Sequence, residues 1–270
     1  SLLRSRSSSY EESQVMSWIE SQFSLAGKRV LVTGSSKGIG AAIALAMANA
    51  GAEVVLQGRS SESLAETSAA IAAISGAKPA EILCDVSNAN EITAAFAGID
   101  GMNIDVVVNN AGSISRAPAA DTTYEDWARI IDTNLNSVFQ ISQACGRAML
   151  KRGHGRVINI ASLLSFQGGI NVPAYTASKH GVAGLTKALA NEWGSKGVTV
   201  NAIAPGYIST DNTAALRADE DRNTAILARI PIGRWGKPED IASVAAFLAS
   251  PAASYINGEI LAVDGGWMGR

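Results

Sequence analysis

From Lys28 onward, short runs rich in Val, Ile and Leu alternate with longer, Ala-rich amphipathic segments. Strands that are apolar along their whole length are typical of a parallel sheet covered on both faces, and parallel neighbours are joined by helical crossovers. We therefore predict an α/β fold, a doubly wound, Rossmann-like parallel sheet of seven strands in a single domain. The candidate strands are RVLVTG, EVVLQG, AEILCDV, IDVVVNNAG, GRVINIAS, VTVNAIAPG and EILAVDGG. The candidate helices cover residues 38–50, 61–75, 88–97, 123–151, 174–196 and 237–249.

The predicted domain covers residues 26–270, and no linker divides it. Its segment 207–230 is polar and interrupted, and it is long enough to form a lid over a site. Residues 1–25 are predicted to be an N-terminal extension, because they open on a Ser-rich, polar stretch without the apolar core of a signal peptide. A docked helix around Val15 to Phe23 is the alternative for this region.

Composition narrows the classes of partner. The net charge is −2, so no broad basic field is available to bind nucleic acid or an anionic membrane. No uninterrupted apolar run approaches the length of about 18 residues that would suggest a bilayer span. Partners are therefore expected to be small molecules or further copies of the chain. With only Cys84 and Cys145, a disulfide framework is not expected and a reducing cytoplasm fits. His154 and His180 are the only histidines and offer no zinc-ligand spacing, so no metal site is predicted.

The stretch TGSSKGIG follows the first strand and opens the first helix. Gly34, Gly38 and Gly40 let the backbone approach a ligand closely, and the free N–H groups of a helix start attract a phosphate. The spacing G-x-x-x-G-x-G differs from the standard dinucleotide fingerprint. Its position between a strand and a helix nevertheless predicts a dinucleotide-binding loop.

The end of the second strand indicates which nicotinamide the chain prefers. An acidic side chain there would bind the ribose 2′-OH of NAD, whereas a basic one accommodates the 2′-phosphate of NADP. Gly58 stands where the acid is expected, Arg59 and Ser60 follow it, and Lys37 adds a second positive charge from the glycine loop. We therefore predict NADP as the cofactor, with NAD possible. Arg59 as a solvated turn residue is the competing interpretation.

Polar residues also follow the next three strands. Asp85 ends the third strand in CDV and is placed near an adenine edge. In NNAG after the fourth strand, the small Ala111 and Gly112 would lie beneath a dinucleotide, although NNAG can equally be an ordinary polar turn. Ser162 closes the fifth strand, and Asn134 lies in the long central helix, where a buried amide needs hydrogen-bond partners.

Within NVPAYTASKHGVAG, Tyr175 precedes Lys179 by four positions. Residues four apart lie on the same face of a helix, so the two side chains can share a site. A neighbouring ammonium favours the phenolate and lowers the pKa of a tyrosine. A packed tyrosine beside a surface lysine is the alternative when this pair is taken alone.

Together these motifs resemble the short-chain dehydrogenase/reductase family over Leu25 to Gly266, because the glycine loop, NNAG, Asn134, Ser162 and the Tyr–Lys pair occur in the family's order. The resemblance implies an enzyme in which hydride moves to or from nicotinamide C4 while Tyr175 is the general acid/base for the substrate oxygen. Lys179 would lower the pKa of Tyr175 and bind the nicotinamide ribose, Ser162 would polarise the carbonyl, and Asn134 would hold a water for proton relay.

The resemblance also implies a homotetramer and a set of cofactor contacts spread over the strand ends. These contacts are expected at Gly34, Ser36, Lys37, Gly38, Ile39, Gly40, Arg59, Ser60, Asp85, Val86, Asn110, Ala111, Gly112, Tyr175, Lys179, Pro205, Gly206, Ile208 and Thr210.

The C-terminal half is more narrowly similar to the gluconate 5-dehydrogenases and 2-dehydro-3-deoxy-D-gluconate 5-dehydrogenases of that family, in stretches such as IASLLSFQGGINVPAYTASK and YINGEILAVDGGW. The implied reaction is hydride transfer between the nicotinamide and a ketone or secondary alcohol of a sugar acid or polyol. Ser162, Tyr175 and Gln167 would contact the substrate, and Asn212 and Arg217 could meet a carboxylate. An ion pair of Arg217 with the nearby acidic residues is the competing interpretation.

Two other functions stay open. A 3-oxoacyl-carrier-protein reductase has the same scaffold, and it would need a basic patch at the cleft mouth for its acidic carrier. A non-catalytic NADP-binding protein would not need the residues for proton transfer, all of which this chain has.

Overall fold

Seven parallel strands form one sheet, in the order β3-β2-β1-β4-β5-β6-β7, in the computed structural model, which describes residues 18–270. This confirms the predicted α/β class and strand number. The strands are β1 (Arg29–Val32), β2 (Glu53–Gly58), β3 (Ala80–Leu83), β4 (Val106–Asn109), β5 (Gly155–Ile160), β6 (Val198–Pro205) and β7 (Ile260–Val263).

Helices cover both faces of the sheet. They are α1 (residues 18–23), α2 (Gly38–Asn49), α3 (Ser61–Ser75), α4 (Ala89–Ala95), α5 (Tyr124–Ile131), α6 (Ser137–Arg152), α7 (Pro173–Trp193), α8 (Ala214–Ala218), α9 (Glu220–Arg229) and α10 (Pro238–Ala249). The predicted helix over 123–151 is α5 and α6 joined by a π-helical turn, Asp132–Asn136. Residues 207–230, which the sequence analysis predicted to form a lid and which we call the lid segment, contain α8 and α9, two helices that the sequence did not predict.

The N-terminal region is described only in part. The predicted extension 1–25 and the alternative helix Val15 to Phe23 both begin outside the described residues. Within them, residues 18–23 are helical, and the Phe23 ring centroid lies 6.4 Å from that of Phe247 on α10.

The strands divide the core into two apolar layers because their side chains alternate between the faces. Val30 and Val32 of β1 pack into the layer covered by α2 and α10, together with Ile43. Leu31 of the same strand packs into the opposite layer with Ile141 of α6. Near-continuous apolar strands thus follow from burial on both faces.

The order in which strands are added to the sheet reverses at β1. Strands β2 and β3 lie on one side of β1, and β4 lies on its other side. Ligands of doubly wound sheets bind outside the carboxyl ends of the strands at such a switch point. The glycine loop after β1 and the NNAG turn after β4 both lie there.

Candidate active site

The start of α7 and the end of β5 bring Ser162, Tyr175 and Lys179 together. Pro173 occupies the first turn of α7, where a helix does not need its N–H. Tyr175 is half-buried and Lys179 is buried, with 5% of its surface exposed. The Lys179 Nζ donates a hydrogen bond of 2.7 Å to the carbonyl of Ile160 and lies 5.5 Å from the centre of the Tyr175 ring.

Burial dominates the electrostatics of this pair. Desolvation raises the pKa of Tyr175, while a hydrogen bond with Ser162 and the charge of Arg116 act to lower it. Desolvation also lowers the pKa of Lys179 from its ordinary 10.5 to about 8. The sequence predicted a lowered pKa for Tyr175, and this direction is wrong for the structure, because desolvation of the phenol outweighs the groups that lower its pKa.

Ser162 follows β5 and begins a short 3₁₀ turn, Leu163–Ser165. Its Oγ accepts a hydrogen bond of 3.2 Å from the Leu164 N–H, and the same hydroxyl lies close enough to the Tyr175 phenol to lower its pKa. A hydroxyl can serve two neighbours at once, since it has one rotatable proton and two lone pairs. The hydroxyl groups of Ser162 and Tyr175 are therefore adjacent.

Asn134 lies in the π-helical turn between α5 and α6 and is fully buried. Its Oδ1 accepts from the Ser113 N–H at 2.8 Å, and its Nδ2 donates to the Ser113 carbonyl at 2.9 Å and to Ser178 Oγ at 3.2 Å. These bonds use both amide protons, so only an Oδ1 lone pair is left for a water. The amide therefore fixes the loop after β4 against α7.

The glycine loop is shaped by close contacts. Gly34 has φ +60°, and a Cβ there would lie 2.8 Å from Ala111 Cα. A Cβ at Gly40 would overlap the Gly34 carbonyl and Asn110 Nδ2. Lys37 precedes α2, and no side chain caps the first N–H groups of this helix. Uncapped N–H groups at a helix start suit a phosphate, so the loop fits the pyrophosphate of a dinucleotide.

The other members of the predicted loop site differ in exposure. Ser36 accepts a 3.3 Å hydrogen bond from Thr67 Oγ1 through its carbonyl. Ile39 is half-buried against the core layer of α2, and Gly38 has φ +59°. Lys37 is exposed, and its Nζ pairs with Asp211 Oδ2 at 2.7 Å.

The NNAG turn is tied to the end of β1. Asn110 Nδ2 donates to the carbonyls of Thr33 and Gly34 at 3.0 and 3.1 Å. The backbone N–H groups of Asn110 and Ala111 both donate to Thr33 Oγ1 at 3.0 Å. The side-chain amide of Asn110 therefore serves the scaffold. Ala111 and Gly112 are the two residues of this turn that are small enough to leave room for a dinucleotide beside the turn.

At the end of β2, Gly58 is buried and Arg59 is exposed. A Cβ at Gly58 would lie 2.8 Å from Leu64 Cδ2, so core packing also favours glycine here. Ser60 caps α3 by accepting from the Ser63 N–H at 3.3 Å. Arg59 forms no hydrogen bond or ion pair with any described residue.

The end of β3 carries Asp85 and the buried Val86. Asp85 Oδ1 accepts hydrogen bonds from the N–H and the hydroxyl of Ser87, at 2.9 and 2.8 Å. The N–H bond is the largest cause of the lowered pKa of Asp85, and the charge of Arg59 contributes in the same direction. Arg59 and Asp85 thus lie close enough to interact electrostatically at the predicted adenosine side.

The chain after β6 leads into the lid segment. Pro205 ends the strand, and a Cβ at Gly206 would lie 2.6 Å from Asp264 Cα. Ile208 is buried and pairs with Gly236. Thr210 then begins the turn Asp211–Thr213, and its methyl would lie 3.7 Å from a Cβ at Gly38. The start of the lid segment therefore rests on the glycine loop.

The residues predicted to bind the substrate differ in how many hydrogen bonds they already form within the protein. Gln167 Oε1 accepts a long hydrogen bond of 3.4 Å from Trp267 Nε1. Arg217 donates to the Thr210 carbonyl at 3.1 Å and forms no ion pair with the acidic residues at 219–221. Asn212 is exposed and forms no hydrogen bond within residues 18–270.

Sequence reasoning missed Arg116, which lies in the loop after β4 and is exposed. Its charge acts on the phenol of Tyr175. The neighbouring Ala117 N–H donates to the Asn171 carbonyl at 2.9 Å, which joins this loop to the segment before α7. Its position after the carboxyl end of a central strand is the signal that could have identified it.

Among residues 18–270, no group of three or more His, Cys, Asp or Glu side chains could hold a metal ion, and no helix is long and apolar enough to cross a bilayer.

Comparisons with known proteins agree with this architecture. The family model described as enoyl-(acyl carrier protein) reductase, adh_short_C2, matches residues 34–268. The chain belongs to the short-chain dehydrogenase/reductase family and is an oxidoreductase of that family, as the motifs predicted.

The chain is similar to two dehydrogenases named for sugar acids and to a reductase named for an acyl carrier protein. The chain is 54% identical, over 94% of its length and 100% of the relative's, to the 2-dehydro-3-deoxy-D-gluconate 5-dehydrogenase of Bacillus subtilis. A gluconate 5-dehydrogenase of Burkholderia cenocepacia, solved in complex with NADP and tartrate, is 36% identical with a TM-score of 0.89, over 93% of this chain and 99% of that one. The 3-oxoacyl-[acyl-carrier-protein] reductase of Vibrio cholerae is 44% identical over 90% of this chain and 98% of that protein.

Proposed function

We propose that this chain transfers hydride between NADP and a ketone or secondary alcohol of a gluconate-type sugar acid. The observation that carries the proposal is the adjacency of the Ser162 and Tyr175 hydroxyls beside the buried Lys179. The substrate class is supported by the dehydrogenases of sugar acids among its relatives, which match it over nearly its whole length.

In the proposed reaction, Tyr175 exchanges a proton with the substrate oxygen, and the Ser162 hydroxyl donates a hydrogen bond to the same oxygen as charge develops on it. Lys179, anchored to the Ile160 carbonyl, supplies a positive charge next to the phenol when it is protonated. Asn134 holds the loop after β4 in register with α7. The nicotinamide, when bound, accepts or supplies the hydride.

The cofactor would be held by the glycine loop and the ends of β2 and β3. The uncapped start of α2 would bind the pyrophosphate, and Asp85 would contact the adenine side. Arg59 would pair with the 2′-phosphate, because it is exposed and because Gly58 leaves no carboxylate there to repel that group. NADP preference is further supported by the relative solved with NADP.

For the carboxylate of the substrate, Arg116 is a stronger candidate than Arg217. Arg116 is exposed, and its charge acts on the pKa of Tyr175, so it lies near the reacting centre. Arg217 is partly buried and donates one of its N–H groups to the Thr210 carbonyl, which holds it within the segment 207–230. We therefore assign the carboxylate to Arg116 and propose that residues 207–230 act as the lid of a domain covering 26–270.

A 3-oxoacyl-carrier-protein reductase is the second candidate, favoured by the 44% identity to one such enzyme. Steady-state turnover of gluconate-type acids, uncharged polyols and a 3-oxoacyl thioester, each with NADP(H) and NAD(H), separates the two. We expect the sugar acids with NADP to give the highest kcat/KM. Faster turnover of the thioester than of any sugar acid or polyol would contradict the proposal.

The assembly and the compartment are also proposals. A homotetramer is supported by large apolar side chains that stay exposed in a single chain, among them Trp127 and Phe139, and light scattering would test it. A reducing cytoplasm is supported by the two buried free thiols, Cys84 and Cys145.

A further inference from the structure

The ion pair between Lys37 and Asp211 joins the two parts of the chain that enclose the cofactor side of the cleft. Lys37 is the last residue before α2, in the glycine loop, and Asp211 is the first residue of the turn that opens the lid. Their charged atoms lie 2.7 Å apart, and both side chains are largely exposed. The ion pair is thus accessible to a dissolved anion.

Arg59 and Lys37, the two basic side chains predicted to bind a 2′-phosphate, differ in whether they already have a partner within the protein. Arg59 has no partner among the described residues, so it can bind a phosphate without giving up a contact. Lys37 already has the counter-ion Asp211, and this bond is the largest cause of the lowered pKa of Asp211. Recruiting Lys37 therefore requires a change in its ion pair.

A 2′-phosphate and the Asp211 carboxylate both carry negative charge. If Lys37 leaves Asp211, the ion pair is lost. If it keeps Asp211 and also bonds the phosphate, two like charges are held around one ammonium and repel each other. The 2′-hydroxyl of NAD imposes neither cost, because it is neutral and leaves the ion pair as it is.

We propose that Asp211 is a specificity-determining residue that opposes NADP binding by competing with the 2′-phosphate for Lys37. The inference rests on the NADP site proposed above. In this site Arg59 favours NADP and Asp211 moderates that preference, so removal of Asp211 sharpens discrimination against NAD.

The test measures dissociation constants of NADP and NAD by titration calorimetry on the full chain without substrate. Asp211→Asn keeps the shape of the side chain and removes its charge. We expect it to tighten NADP by about two- to fivefold, the size of an exposed ion pair, and to leave NAD within experimental error. Asp221→Asn is the matched control, because it removes a lid carboxylate that forms no ion pair or hydrogen bond within the described part of the chain.

Lys37→Met supplies the second arm. In a Lys37→Met background, Asp211→Asn should no longer change NADP affinity, since the object of the competition is gone. Weaker NADP binding in Asp211→Asn, equal changes for NADP and NAD, or an effect that persists in Lys37→Met would overturn the inference.

The same titrations separate this inference from the proposed function. If Lys37→Met leaves NADP affinity unchanged, the proposed contact of Lys37 with the cofactor is wrong and the competition is wrong with it. If Lys37→Met weakens NADP but Asp211→Asn does not tighten it, only the competition is wrong. Failure of sugar acids to turn over would contradict the proposed substrate class, and it would leave the result of these cofactor titrations unchanged.

Discussion

The Lys179 ammonium lies 5.5 Å from the centre of the Tyr175 ring, yet its hydrogen bond goes to the carbonyl of Ile160 at the end of β5. The lysine is therefore fixed by the sheet and not by the tyrosine. The phenol, in turn, bonds the Ser162 hydroxyl and feels the charge of Arg116. The pKa of Tyr175 thus depends on its burial, on the Ser162 hydroxyl after β5 and on Arg116 in the loop after β4.

Tyr175→Phe keeps the ring and removes the exchangeable proton. We expect turnover to fall by about 10²-fold or more, the usual loss when a general acid is removed. NADP affinity, measured by calorimetry, should change little. Tyr255→Phe makes the same change at a fully exposed position and should leave turnover intact. Retention of more than about a tenth of the wild-type rate by Tyr175→Phe would contradict the assigned role.

Arg116→Met removes a charge that lowers the pKa of Tyr175. The pKa of the phenol should then rise, so the pH profile of alcohol oxidation, which needs the phenolate, should shift to higher pH. Below its plateau the oxidation rate should fall by about two- to fivefold, as for one exposed charge interaction. The KM for sugar acids should rise while that for neutral polyols does not.

The control for this change is Lys151→Met, which removes an exposed charge in the last turn of α6, at the opposite end of the sheet from the site. It should alter neither the pH profile nor either KM. Equal effects of Arg116→Met on acids and polyols would show that Arg116 does not bind the carboxylate.

Arg59→Leu removes the guanidinium proposed to bind the 2′-phosphate. The wild type should favour NADP over NAD by about ten- to a hundredfold in kcat/KM, and Arg59→Leu should lose most of this ratio through NADP alone. Equal values for both cofactors in the wild type would show that Arg59 is a solvated turn residue. A Gly58→Asp exchange is a poorer test, since its Cβ would lie 2.8 Å from Leu64 Cδ2 in the core.

Lys179→Met should change how stability depends on pH. Burial lowers the pKa of Lys179 from 10.5 to about 8 in the folded state. Below pH 8 Lys179 is protonated in both the folded and the unfolded state, so it does not make the free energy of unfolding depend on pH. Between about 8 and 10.5 the unfolded state holds a proton that the folded state has lost, so stability rises with pH through this group.

Urea denaturation at pH 7 and pH 10 measures this contribution as the difference between wild type and Lys179→Met. The wild type should gain on the order of 2 kcal/mol relative to the variant between these values. Other titrating groups are common to both proteins and cancel in the difference. A difference that is the same at both pH values would mean that Lys179 keeps an ordinary pKa in the folded protein.

The sheet and its crossovers were predictable because strands buried on both faces must be apolar along their whole length. Such apolar runs are easy to recognise in the sequence. Helices α8 and α9 were not predicted because their composition is polar, although Asp219 caps α9 by accepting a hydrogen bond from the Arg222 N–H. The spacing of four residues predicted that Tyr175 and Lys179 share a helix face, and the family resemblance implied that Ser162 joins them. The sequence could not reveal that the side-chain amide of Asn110 donates its hydrogen bonds to the carbonyls of Thr33 and Gly34, because these contacts join distant segments.

The electrostatic state of the site was the least accessible property. A lysine four residues after a tyrosine suggests a lowered phenol pKa, but the sign depends on how deeply both groups are desolvated and on what else the lysine bonds. Arg116 was missed because its only sequence signal is its position after the carboxyl end of a central strand, which many residues share. Its significance comes from the fold, which places the loop after β4 beside α7.

The π-helical turn that carries Asn134 also constrains how the protein can evolve. In this turn the Ser137 N–H bonds the Asp132 carbonyl five residues back, so the helix contains one residue more than a regular α-helix of the same span would need. Deleting that residue would leave a regular α-helix over the same span, so Ile141 and Met149 of α6 would still face the sheet they now cover. It would, however, remove the widened turn that holds Asn134 against Ser113 and Ser178. We therefore expect functional descendants to keep the extra residue because of Asn134 and not because of the packing of α6.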